Sequence, residues 1–253
     1  MSTARSYRPG LAFAVALASA LATAGEAVAP KASIDVQYAL CDTPANVERA
    51  LALRRQGAPF DVYLFDTPAL DLFGKGLRIR LRGTGKDAEL TLKVADQDCA
   101  ALPKDALPRG EGKCEYDLHG TRTAGALSVT RSVAANTAGE LKAGTLALDK
   151  VLSPAQVATL KRTPGAWPLP PGIRPLGPAR VQSYRAAAKP YAVDVSTLPA
   201  GERFIEISRK GPLANAERLR TEFESTLAKA GVAVCADQSA QAGNKLRALL
   251  RAQ

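Results

Sequence analysis

Two alternating runs, LRIRLR at residues 77–82 and ELTLKV at residues 89–94, constrain this chain more than anything else in it. Period two places Leu77, Ile79 and Leu81 on one face of an extended segment and Arg78, Arg80 and Arg82 on the other. The second run sorts Leu90, Leu92 and Val94 against Glu89, Thr91 and Lys93. A third, at residues 113–118, sets Cys114, Tyr116 and Leu118 against Lys113, Glu115 and Asp117. Each segment therefore needs apolar cover on one side only. In a two-layer sandwich the charged faces would look into water. In a sheet closed on itself, with helices outside, they would line a polar tunnel. A tunnel mixing arginine, lysine and carboxylates suits a polyphosphate with its divalent cation, because guanidinium and ammonium groups hold phosphate oxygens and carboxylates hold a hard metal.

The rest of the chain supplies more strands than helices. Residues 33–38, 60–65, 77–82, 89–94, 114–118, 179–185, 190–195 and 203–209 read as short strands, eight in all, a number that suits a barrel. Helices are expected at 43–55, capped by Asp42 or Thr43, at 153–162, opened by Ser153 and Pro154, and at 213–230, where Leu219, Phe223 and Leu227 form one stripe. Six prolines between Pro164 and Pro178 predict a loop without regular structure. The fold class is α+β.

Residues 1–24 have the pattern of a cleaved secretory leader: Arg5 and Arg8, an apolar charge-free run at 11–24, and small residues at the end. The expected location is periplasmic or secreted. Losing Arg5 and Arg8 takes the formal charge from +10 to +8, so an exported, basic chain should meet anions. Aromatics are only 5% of the residues, which disfavours single-stranded nucleic acid, where stacking platforms are needed. In an oxidising compartment Cys41, Cys99, Cys114 and Cys235 form an even set, so two disulfides are expected. Of the three connectivities we favour Cys99–Cys114, closing the polar insertion at 100–113, and Cys41–Cys235, tying the C-terminal part to the first strand. The single histidine, His119, excludes a histidine-rich metal site, and its turn-like setting reads as surface.

The segment YLFDTPALDLFGKGLRIRLR, followed by LTLKV, resembles the CYTH superfamily of triphosphate tunnel metalloenzymes, specifically over residues 61–94 and more loosely, through KCEYDL, RVQSYR and FIEIS, to about residue 230. The resemblance implies an eight-stranded antiparallel closed β-tunnel with helices packed on the outside, spanning 30–235, followed by a helical extension at 236–253. It further implies phosphate binding by Arg78, Arg80 and Lys93 with Arg180 or Arg185, and Mg2+ or Mn2+ held by Asp35, Glu115, Asp117 and Glu206. The family's first strand carries Glu-x-Glu-x-Lys; here the aligned residues are Ser33, Asp35 and Gln37, and Ser208 replaces a second closing glutamate. Phosphoryl transfer depends on metal neutralisation and positioning, so these losses bear on hydrolysis more than on binding. The expected function is binding of polyphosphate or another polyanion with weak or no catalysis. A metal-dependent triphosphatase is the alternative, and a structural envelope protein the second.

Overall fold

The computed structural model describes residues 32–252 apart from 84–86, 104–106, 108–109 and 187–189. The expected leader lies outside the described residues. Nine strands, β1 (Ser33–Leu40), β2 (Leu53–Asp66), β3 (Leu77–Gly83), β4 (Asp87–Val94), β5 (Gly112–His119), β6 (Arg122–Ala134), β7 (Arg174–Ala186), β8 (Ala192–Thr197) and β9 (Arg203–Pro212), close a barrel in the order β1-β5-β6-β4-β3-β2-β7-β8-β9. The expectation of eight antiparallel strands is corrected twice. The missing strand is β6, whose outward Leu127, Val129 and Val133 alternate with small inward residues, Ala126, Ser128, Thr130 and Ser132. Strand direction cannot alternate all the way round a ring of nine, so one neighbouring pair must be parallel. That pair is β1 with β5, Asp35 lying opposite Asp117.

The apolar faces go outward, under helices. α5 (Ala216–Ala230) lays Leu219, Phe223 and Leu227 on Ile34, Val36, Tyr38, Ile205 and Ile207. α3 (Ala135–Ala143) and α4 (Pro154–Arg162) cover Leu77, Ile79, Leu81, Leu90, Leu92, Leu127 and Val129. α4 opens with a capping box between Ser153 and Gln156, and the buried Gln156 amide also donates to Leu90 O at 2.9 Å and Val129 O at 3.1 Å. With both amide ends satisfied, a fully buried glutamine fixes the helix on the sheet instead of destabilising it.

Other boundaries move for local reasons. The helix expected at 43–55 is α1 (Pro44–Ala50), because Ala52 takes φ 48° and the chain leaves for β2. The last two prolines of the expected loop, Pro175 and Pro178, belong to β7, where a register shift opposite Val62 and Leu64 accommodates them. In the FDTP segment Asp66 is buried, and its carboxylate accepts the backbone N–H groups of Thr67, Leu72 and Phe73 at 2.8, 2.9 and 3.0 Å. It thereby caps the short helix α2 (Asp71–Gly74) that turns the chain from β2 into β3.

α6 (Gln241–Arg251) lies against inward-facing wall residues rather than outside the barrel. Its Leu246, Ala248 and Leu249 pack with Val62, Leu176, Ala179, Val181 and Leu198, and Arg251 pairs with Glu202 at 3.0 Å. The helix closes the end of the bore where β8 gives way to β9. The disulfides are Cys41–Cys235, which fastens the approach to α6 to the end of β1, and Cys99–Cys114; this is the connectivity favoured from the sequence. Among the described residues no helix is long and apolar enough to cross a membrane.

Candidate functional site

Register assigns the inner wall. Arg78 stands opposite Lys93, Lys93 opposite Ser128, and Ser128 opposite Lys113; Arg80 stands opposite Thr91, and Thr91 opposite Thr130. On the other side of the bore, Asp35 faces Lys210 and Glu206 faces Asp194 across their strand pairs. Water reaches Arg80 and Glu206 through the bore although the strand wall encloses both. Arg78 and Lys93 lie close enough to act electrostatically on both Glu206 and His119, so basic groups from β3 and β4 converge on one volume. His119 is not on the surface as expected. It points inward at the end of β5, where burial holds its imidazole below the ordinary range against the pull of Asp117.

The three arginines of β3 differ in their company. Arg82 stacks over the Phe60 ring at 4.8 Å. Among the described residues neither Arg78 nor Arg80 has a hydrogen bond or an ion pair. Burial pushes the Arg80 guanidinium below the usual arginine range; neighbouring Arg82 adds to this, and Glu206, Glu89 and Asp194 oppose it. Arg180 must be corrected as a phosphate contact: Val181, opposite Ser196, carries the inward face of β7, so Arg180 points outward and pairs with Asp61 at 3.4 Å. Arg185 keeps the inward parity but stands exposed at the far end of β7, opposite Arg54.

The carboxylates expected to hold metal are each met by an ammonium group or stand alone. Asp117 is ion-paired with Lys93 and accepts from Gln37 at 3.4 Å. Glu115 takes Lys113 at 2.8 Å and Lys210 at 3.0 Å; burial works to raise its carboxyl, but these bonds outweigh it and hold the group below the ordinary range. Glu206 is raised by burial, which Lys245 counters and Asp194 reinforces. Asp35 has a buried Oδ1 without a hydrogen-bond partner, and burial raises its carboxyl to about 6, with Lys210 opposing and Asp117 adding. The orphaned Oδ1 is one donor a cation could use. The set as a whole does not fit: among the described residues no three acidic, histidine or cysteine side chains come together as ligands, and lysines hold Asp117 and Glu115.

Three residues of the bore escaped the sequence reading. Lys210 and Asp194 share the inward parity of their strands, and that alternation was there to be read in FIEISRK and AVDVST. Lys245 could not have been found that way. It enters from α6, where Nζ donates to Ser196 Oγ at 2.6 Å with Glu206 and Asp194 nearby, and burial lowers its ammonium against their pull. A further bond, Ser183 Oγ to Asp194 at 2.6 Å, fixes the acid beside it.

No protein-family model matches the sequence, and no curated protein matches it. Solved structures do. A Hippeastrum adenylyl cyclase candidate, described as having a dominant triphosphatase activity, superposes with TM-score 0.52 at 15% identity, over 85% of this chain and 94% of that one. A Bacillus halodurans protein described as an adenylate cyclase candidate gives 0.52 at 14% identity, over 82% and 96%. At such identities the likeness is one of fold. The chain shares the fold of these two neighbours: a closed strand wall with charges inside and helices outside, matched over nearly the whole of each.

Proposed function

We propose that the chain is an exported protein that binds a linear polyphosphorylated anion in its bore, with weak or no hydrolysis. The observation that carries this reading is the pair of guanidinium groups of Arg78 and Arg80 inside the wall, neither in an ion pair among the described residues, while Lys93 and Lys210 pair with Asp117 and Glu115. Neither guanidinium makes a direct ion pair among the described residues, so a phosphate oxygen can form a charge-assisted bond worth about 1.5–3 kcal/mol without displacing a protein partner. The anion enters by the mouth opposite α6 and threads between the arginines of β3 and Lys210. Binding weakens with added salt, but less steeply than on an open surface. The chain's own residues bind and orient; Asp117 and Glu115, which would help to hold a metal for phosphoryl transfer, are engaged by Lys93, Lys113 and Lys210. Two disulfides and a basic charge support the exported location.

The competing reading, a metal-dependent tripolyphosphatase, draws support from the activity described for the Hippeastrum neighbour. Calorimetry with tripolyphosphate, paired with phosphate release in Mg2+ or Mn2+, separates the two. Tight binding without release supports the proposal, and multiple-turnover release overturns it. Neither binding nor release would leave the structural envelope role.

A further inference from the structure

Asp35, Glu115 and Asp117 lie on neighbouring strands, and three lysines stand among them. Asp35 is opposite Asp117 on one side and Lys210 on the other. Lys210 reaches Glu115 at 3.0 Å, Lys113 reaches it at 2.8 Å, and Lys93 holds Asp117. The cluster is balanced, three negative groups by three positive ones. A divalent ion between these carboxylates would sit within a few ångströms of two or three ammonium groups. At an effective dielectric of about 20, a unit charge 4 Å away contributes about 4 kcal/mol, and an ion of charge two feels twice that from each lysine. The acidic side of the bore is thus filled electrostatically by the protein itself. Lys210 holds the central place: it bonds Glu115, acts on Asp35 and Asp117, and is itself raised by those partners against the lowering effect of its own burial.

We propose that fixed lysines take the place of the divalent ion, so that this bore accepts its polyphosphate as the metal-free anion, and that Lys210 enforces the exclusion of metal. This rests on the binding function proposed above for its ligand, but not for its metal chemistry. The orphaned Oδ1 of Asp35 gives the arrangement a latent side. Without Lys210, Asp35 and Asp117 lose the opposing positive charge and Glu115 keeps only Lys113, so the electrostatic barrier to a hard cation at the orphaned Asp35 oxygen falls.

The test uses the full mature chain. Mn2+ alone is titrated against wild type, Lys210→Met and Lys210→Gln, and the free-ion paramagnetic resonance signal is followed. The wild type should leave the signal unchanged, whereas both variants should quench it, with affinity raised at least about tenfold. Quenching by the wild type as strong as by the variants would overturn the proposal, and so would no quenching by folded variants. Thermal melting establishes that the variants fold. If both unfold, the wild-type titration still decides, since a metal-excluding bore predicts no Mn2+ binding. A second arm measures tripolyphosphate affinity in EDTA and in excess Mg2+. The proposal expects equal or weaker binding in Mg2+, which complexes the free anion; binding that appears only with Mg2+ overturns it. If the wild type binds no tripolyphosphate under either condition, the function proposed above fails while the Mn2+ titration still judges the exclusion of metal.

Discussion

Replacing Arg80 by methionine should move two measurements in opposite directions. The guanidinium sits inside the strand wall with no hydrogen bond or ion pair among the described residues, and burial together with Arg82 disfavours its charged form. Methionine keeps much of the stem and removes the charge, so the ligand-free protein should melt at a higher temperature than the wild type. Affinity should fall, because a charge-assisted bond to phosphate contributes about 1.5–3 kcal/mol, or roughly ten- to 140-fold in dissociation constant. Arg82→Met is the internal control. Arg82 shares the face and is as open to solvent as Arg80, but its guanidinium already stacks on Phe60 at the end of β3, so its loss should cost less than threefold. Calorimetry with tripolyphosphate in EDTA gives the affinities, and differential scanning fluorimetry the melting temperatures. The reasoning is refuted if Arg80→Met lowers the melting temperature while leaving affinity intact, or if the two substitutions weaken binding equally. Either result would mean that the bore does not concentrate the anion at Arg80.

Three further expectations follow from single contacts. Because burial raises the Asp35 carboxyl from 3.8 to about 6, the folded state holds that proton more tightly than the unfolded chain; its contribution to stability is present below 3.8 and lost as pH rises through about 6. Denaturant melts across that window should therefore show falling stability in wild type and a flatter profile in Asp35→Asn. Leu249→Ala, which empties a fully buried position between α6 and the barrel, should cost about 2–5 kcal/mol in urea unfolding, whereas a helix merely appended to the barrel would show almost none. Gly125→Ala on β6 would bring a Cβ to 2.0 Å from the Gln97 carbonyl oxygen, a backbone atom that cannot swing aside, so a loss of about 2–3 kcal/mol is expected by the same measurement.

What could be read from the chain alone was local and periodic. The alternation of β3, β4 and β5 determined which side chains share a face, and the stripe Leu219, Phe223, Leu227 determined how α5 presents itself to the sheet. Cap chemistry at Ser153 and Pro154 located the start of α4 for the same reason: it acts within a few residues. Even β6 and Lys210 were within reach of this reasoning, because their parity is written in the sequence.

Closure belonged to the tertiary structure. Period two says that Arg80 and Leu81 face opposite ways, but not which way is inward; that depends on nine strands meeting in a ring and on helices covering the apolar side. The parallel pairing of β1 with β5, which sets Asp35 beside Asp117, follows from an odd count of strands and from no feature of either segment. Arg180 lost its expected place by alternation alone: Val181, Ser183 and Arg185 take the inward face in an unbroken register with β8, so Arg180 faces out. Lys245 and Ser196 lie 49 positions apart and meet because α6 folds back over the bore. Whether a carboxylate binds a metal or a lysine is likewise decided by charges brought from distant strands, since electrostatic neighbours are set by distance in space and not by separation along the chain.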